Sequence, residues 1–492
     1  MSVKSYLQTS YHSQLDLLEE TRSRLYRKCN TSLLDTKNFS MPETISAFEG
    51  GCLFPAHPCL AVTANKVLLN PEAYPAQVYP QNNMLDELIL EVEKYFRENC
   101  SIPAEITKNV TFGMGVSHLL DAFTSSVCKP GEIILAPESY YHAFLSWPKK
   151  WNVSHVKVTT SSKNSYKLTA DDLDKWFEDN RAISAGVKAL LLTSPTTTGE
   201  IYTQDELRSL AKIISKRKIF VFVDEIYKET EYGSDKTISL ASMDGMRDYC
   251  VTCVSGSKNR SAANFRLGWG CGPDLIIKKM NKYFDVSITD FSWMIQKVGC
   301  SILNVPQVYI DAARAENVIR SGRLIKAIRH MNDNLKRHFN IGYDIVEMPV
   351  RPSAGFFLLL NMEKLRNARL PNGSFVESAL SLAEYLSFPA NYGLDLKGVC
   401  LSTGATRGHD GIIFYFGFAQ TGHEFMSAAA APHIEAYVKN HVFGDKSAIF
   451  DPDFSEAIEQ GRLINDEAVR RMEAALKKIE LPVRSRVSPK FV

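Results

Sequence analysis

The chain has 492 residues, 45% hydrophobic and 23% charged, an ordinary globular composition with room for two domains. A net charge of only +2 gives no overall field that would draw nucleic acid or an anionic membrane. The ten cysteines are scattered, the first residues carry no apolar secretory core, and no apolar run approaches a membrane span, so a cytoplasmic protein with reduced thiols is expected.

Residues 1–40 are polar and helix-prone, without a motif. Residues 41–60, MPETISAFEGGCLFPAHPCL, are rich in turn formers and read as an extended arm rather than a packed element. Leu85, Leu88, Ile89, Val92 and Phe96 share one stripe, predicting a helix over Met84 to Phe96. Thr111-Phe112-Gly113-Met114-Gly115-Val116-Ser117 then opens a second helical pattern, Leu119 to Val127. A glycine-containing turn at a helix start presents free N–H groups and a positive dipole end, which suits an anion such as phosphate. Glu132 to Ala136 reads as a short strand, followed by Pro137-Glu138-Ser139-Tyr140-Tyr141-His142. A ring at the C-terminal end of a strand either stacks on a flat ligand or simply packs.

From Val153 onward strands and helices alternate. Val153 to Thr159 reads as strand, Thr169 caps a helix through Phe177, and Val187 to Thr193 is a run buried on both faces. Thr203 and Glu206 form a capping box. The strand Lys218 to Val223 leads into Asp224-Glu225-Ile226-Tyr227. An aspartate in that place requires a cationic partner, either a protonated ring nitrogen or an ordinary lysine or arginine. The strand Tyr249 to Val254 contains Cys250 and Cys253, whose side chains point to opposite faces, so no metal or redox role is expected of them. It runs into V-S-G-S-K-N-R-S-A-A-N-F-R-L-G-W-G, residues 254–270. Lys258, just after Ser255 and Ser257 at the end of a buried strand and eight residues before Arg266, suits a Schiff base to a cofactor that also carries a phosphate. Beyond residue 300, Val308 to Phe339 is one long charged helix. Strands Tyr343 to Val350, Gly355 to Asn361, near Val399 to Leu401 and Ile412 to Ala419 follow, with helices Ser374 to Leu386 and Glu424 to His441. A charged tail with a helix near Asp466 to Ile479 ends the chain. The expected architecture is α/β: an arm (1–60), a large domain with a mostly parallel sheet between helices (61–305), a connecting helix (306–340), a smaller α+β domain (341–444) and a C-terminal extension (445–492).

Together these residues resemble the fold-type I pyridoxal-phosphate enzymes, in the class I/II aminotransferase group that includes the 1-aminocyclopropane-1-carboxylate synthases. Ser255-Gly256-Ser257-Lys258 with Arg266-Leu267-Gly268 matches the lysine motif, and Asp224-Glu225-Ile226-Tyr227 the D-x-x-Y that precedes it. The resemblance covers roughly Glu43 to Val442. It implies that Lys258 carries pyridoxal 5'-phosphate and moves protons, Asp224 keeps the pyridine nitrogen protonated, and Tyr227 donates to the ring hydroxyl. It implies that Tyr141, with Tyr140 as substitute, stacks on the ring. Ser255, Arg266 and the backbone of Gly113, Met114 and Gly115 would hold the phosphate. Tyr79, in Y-P-Q-N-N, would reach a phosphate across a homodimer interface.

Two departures stand out. The family's N-P-x-N-P-T-G segment is here Ser194-Pro195-Thr196-Thr197-Thr198-Gly199, which places Thr196 where the ring-binding asparagine should be. The family's carboxylate-binding arginine is replaced by Tyr415 in F-Y-F-G-F-A, and a neutral phenol cannot clamp a carboxylate. Arg407 or Arg351 would then substitute from nearby, Arg407 being favoured by its loop, unless it is a solvated surface residue. Aminotransfer on an amino acid or amine is the expected activity. Elimination, replacement or cyclisation, and a non-catalytic relative, are the alternatives, because all the reactions share deprotonation at Cα.

Overall fold

The computed structural model describes residues 43–80, 85–444 and 449–482. The helix-prone stretch 1–40, and residues 81–84 of the tyrosine motif, lie outside the described residues.

The large domain is a seven-stranded sheet. Its strands are β2 (Val110–Gly113), β3 (Ile133–Pro137), β4 (Ser154–Val158), β5 (Val187–Thr193), β6 (Phe220–Asp224), β7 (Cys250–Val254) and β8 (Gly268–Cys271), in the order β2-β8-β7-β6-β5-β3-β4. All pair in parallel except β8, which runs against both neighbours. The sequence β5, V-K-A-L-L-L-T, shows why: Leu190 and Leu192 enter the core beneath helices Asp86–Cys100 and Gln204–Arg217. Ala189 and Leu191 enter the opposite core beneath helices Val116–Val127 and Asp274–Ser287. A strand covered on both faces has no polar side to show. Cys250 and Cys253 divide the same way, one into each core. Thr169 and Thr203 both cap their helices, each accepting from the third helical N–H while Asp172 and Glu206 reach back. Strand β2 is an addition to the sequence reading, which saw only the glycine turn that follows it.

Helix Gln307–Phe339 leads to the small domain, whose sheet has the order β1-β10-β11-β9. Here β1 is Thr44–Ala47, β9 Phe357–Asn361, β10 Gly398–Thr403 and β11 Ile413–Gly417. Three expectations are corrected. The turn-rich segment 41–60 is not an unpacked arm: β1 pairs in parallel with β10, and Ile45 and Ala47 are buried. Its alternation is only four residues long, too short to be told from a loop without its partner. Tyr343 to Val350 is not a strand and makes one bridge, Glu347 to Asn361. The Asn332 amide takes the place of a ladder there, donating to the Val346 carbonyl (2.7 Å) and accepting its N–H (3.1 Å). The C-terminal helix spans Ser455–Leu476 and is no mere extension. Ile464, Ala468, Val469, Met472 and Leu476 belong to the small-domain core. Met472 is fully buried, so Met472→Ala lowers unfolding free energy by about 2–5 kcal/mol, read from urea titration. Among the described residues, no helix is long and apolar enough to cross a membrane.

Candidate active site

A cavity of about 590 Å³ opens at the C-terminal ends of β5, β6 and β7, between the two domains. Strand β7 ends at Val254, and the turn Ser255-Gly256-Ser257 delivers Lys258 to the cavity. Gly256 is needed there, since a Cβ would come within 2.3 Å of Ile302 Cγ2. Lys258 Nζ donates to the Gly50 carbonyl. Burial pushes its ammonium below the usual lysine range, and Arg407 pushes the same way against Glu49 and Asp224. The result is an amine that loses its proton readily, which a Schiff-base lysine requires.

Asp224 ends β6, opposite Thr193 of β5 and Cys253 of β7. Its Oδ1 accepts the Ile226 N–H at 3.1 Å. Burial raises its pKa to about 7, opposed by the Ile226 hydrogen bond and by Lys258. Among the described residues no cation is bonded to this carboxylate. Such an acid is built for a cation that arrives with a ligand. Tyr227, three residues on, lines the same wall, and burial raises its phenol far above the usual range, so it stays a hydrogen-bond donor.

The opposite end suits an anion. Gly115 (φ +80°), Val116 and Ser117 line the cavity at the N-terminus of helix Val116–Val127. Arg266 closes this end, its guanidinium donating to the carbonyls of Ala263 (2.9 Å) and Met114 (3.3 Å). A Cβ on Gly115 would sit 2.7 Å from Arg266 Nη2, so only glycine leaves the cradle open.

Several expected residues stand one place behind the wall. Gly113 ends β2, and Met114, half exposed, offers its carbonyl to Arg266, while Gly115 itself faces the cavity. Ser255 is buried beneath Ser257, with their hydroxyls 2.6 Å apart, and it is Ser257 that lines the cavity. Thr196 is turned into its own turn, its Oγ1 2.8 Å from Thr198 Oγ1 and accepting the Glu200 N–H at 3.0 Å. The cavity residue is Thr197, which donates to the Ser139 carbonyl. Of the two tyrosines, Tyr141 faces the cavity and Tyr140 packs against His155 in the core. Tyr79 is exposed and no part of this cavity.

Arg407 enters from the turn Gly404–Arg407 after β10. It is only 7% exposed, and its buried Nη1 has no hydrogen-bond partner. Tyr415 is fully buried behind it, not on the cavity wall, with its hydroxyl 2.9 Å from His409 Nε2. Arg351 lies elsewhere, on a separate cleft beside Tyr232 and Asp235. The sequence reading missed the segment from Phe48 to Pro55, which forms a whole wall. Its signal was the pair Gly50-Gly51: a Cβ on Gly51 would meet Gln420 Oε1 at 2.2 Å.

An amine, an uncompensated buried acid, a phenol, a facing ring and an anion cradle fit a planar phosphorylated pyridine. The fold and site therefore define a pyridoxal-phosphate enzyme. The family model described as "Aminotransferase class I and II" matches residues 56–387, more than half of the chain, and the chain belongs to that family. The YugH protein of Bacillus subtilis is 28% identical over 205 residues, 42% of this chain and 51% of its own length. An aspartate aminotransferase of Geobacillus stearothermophilus is 25% identical over 293 residues, 58% of this chain and 67% of that enzyme. Among solved structures, an aromatic aminotransferase from Pyrococcus horikoshii superposes with a TM-score of 0.66 at 18% identity, covering 88% of this chain and 97% of that one. An aspartate aminotransferase from Thermotoga maritima gives 0.67 at 16% identity, covering 93% and 96%.

Proposed function

We propose that this enzyme moves the amino group of an α-amino acid to a 2-oxo acid at Lys258, with the substrate α-carboxylate held by Arg407. The observation that carries the reading is the unpartnered, buried Nη1 of Arg407 in the same cavity as Lys258. A buried guanidinium nitrogen left without an acceptor favours a carboxylate that completes it.

Bound pyridoxal phosphate supplies an electron sink that acidifies the substrate Cα–H. The chain's residues do the rest. Asp224, as carboxylate, would hold a proton on the pyridine nitrogen. Tyr227 would donate to the ring oxygen and Tyr141 would cover the ring face. Gly115, Val116, Ser117, Ser257 and Arg266 would hold the phosphate. Lys258, its ammonium destabilised by burial, would take the proton from the substrate Cα and serve in turn as the acid that returns it. The wall from Phe48 to Pro55 excludes water from that exchange. A homodimer is part of this proposal, and exposed Tyr79 is the residue that would reach a second copy.

Arg407→Ala raises KM for the amino-acid substrate about tenfold or more, the scale of a lost charged hydrogen bond of about 1.5–3 kcal/mol. The assay follows 2-oxo acid release across a panel of L-amino acids. An unchanged KM removes Arg407 from the substrate site. Conversion of amino acids without any 2-oxo acid favours cyclisation instead, and a 2-oxo acid released together with ammonia, with no acceptor 2-oxo acid consumed, favours elimination.

A further inference from the structure

We propose that Tyr415 is a positioning residue: its ring, together with that of Phe357, seats the Arg407 guanidinium in place of the acidic partner a buried arginine ordinarily has. The inference rests on Arg407 as the carboxylate site and deepens that reading.

The other buried arginines among the described residues show the ordinary arrangement. Arg260 is paired with Glu229 at 2.6 Å, Arg320 with Glu316 at 2.8 Å and Arg471 with Glu467 at 2.9 Å. Arg407 has no ion pair among the described residues. Its guanidinium carbon instead lies 4.5 Å from the Tyr415 ring centroid and 4.8 Å from that of Phe357. The two rings are 5.7 Å apart and nearly perpendicular (86°), making an L-shaped seat. An acid in that place would compete with the substrate carboxylate for the N–H fork. Aromatic faces stabilise the charge without taking those donors.

The seat is itself fixed. Tyr415 is in β11, paired with Ser402 on one side and Leu359 on the other. Its hydroxyl lies 2.9 Å from His409 Nε2, which is 2.8 Å from Ser139 Oγ in the large domain. Burial lowers the His409 pKa to about 3, so the imidazole adds no positive charge beside Arg407. The Tyr140 N–H donates to the Arg407 carbonyl at 3.2 Å, tying the turn to the loop that carries Tyr141. The late strand thus supplies the platform while the neighbouring turn supplies the arginine.

The test uses the holoenzymes of wild type, Arg407→Ala, Tyr415→Leu, Tyr415→Phe and Phe357→Leu. KM and kcat are measured with whichever common L-amino acid the wild type converts best. The Kd of the matching carboxylic acid without the amino group is measured by calorimetry. Tyr415→Leu is expected to raise KM and Kd about tenfold with kcat and bound pyridoxal phosphate little changed, while Tyr415→Phe, which keeps the ring, stays near wild type. If Arg407→Ala weakens both constants and Tyr415→Leu does not, the positioning role is overturned and Arg407 stands. If Arg407→Ala changes neither, the carboxylate reading itself fails. Equal damage from Tyr415→Phe would assign the effect to the hydroxyl and overturn the ring seat. Should Tyr415→Leu not fold, Phe357→Leu, which removes the other ring, carries the same expectation and the same refutation.

Discussion

Lys258→Ala leaves no pyridoxyl group on the protein after borohydride reduction and lowers turnover by about 10⁴-fold, the upper range for a proton-transferring group. Among the described residues the cavity offers no replacement amine. Lys228 is also buried, but its Nζ donates to the Thr237 carbonyl at 2.7 Å and lies 3.6 Å from Glu225, committed to the core. The fold survives the change, because among the described residues the Lys258 side chain is bonded only to the Gly50 carbonyl, and burial already disfavours its ammonium. Peptide mass spectrometry of reduced protein is the check. Wild type carries the pyridoxyl mass on the peptide containing Lys258, and the same mass anywhere in the variant would contradict the assignment.

Asp224→Asn lowers kcat by about 10²–10³-fold, the effect of removing one preorganised electrostatic group. An amide carries no negative charge to stabilise a protonated pyridine nitrogen. The same substitution acts oppositely on the cofactor-free protein. There the folded pKa of Asp224, about 7, is above its unfolded value, so the folded state binds the extra proton. This group therefore makes folding progressively less favourable as pH rises from about 4 to about 7, by roughly 4 kcal/mol in all, and constantly so above that. The asparagine variant lacks that slope. Without cofactor it matches wild type near pH 4 and exceeds it at pH 8. A pH series of urea unfolding measures one effect and steady-state kinetics the other. A variant that keeps kcat within tenfold of wild type would separate Asp224 from the ring nitrogen.

The amino-acid sequence alone determined the chemistry-bearing runs and the sheet beneath them. S-G-S-K with R-L-G, and D-E-I-Y, are short, and each follows a buried strand whose end sets its place. The near-continuous apolar run of β5 announced a strand covered on both faces. Capping boxes at Thr169 and Thr203 marked helix starts because they are local hydrogen bonds. Tertiary structure decided which neighbour turns inward. Tyr141 rather than Tyr140, Thr197 rather than Thr196, Ser257 rather than Ser255 and Gly115 rather than Gly113 face the cavity. These choices depend on irregular turns, where no period of two or 3.6 relates adjacent side chains. Tertiary structure also brought the segment from Phe48 to Pro55 and Arg407 to Lys258, across more than a hundred residues in each direction. Strand β1 and helix Ser455–Leu476, read as an arm and a tail, close the small-domain sheet and core. Four residues of alternation and a charged helix say little alone, because what stabilises them is a partner surface that exists only once the chain has folded.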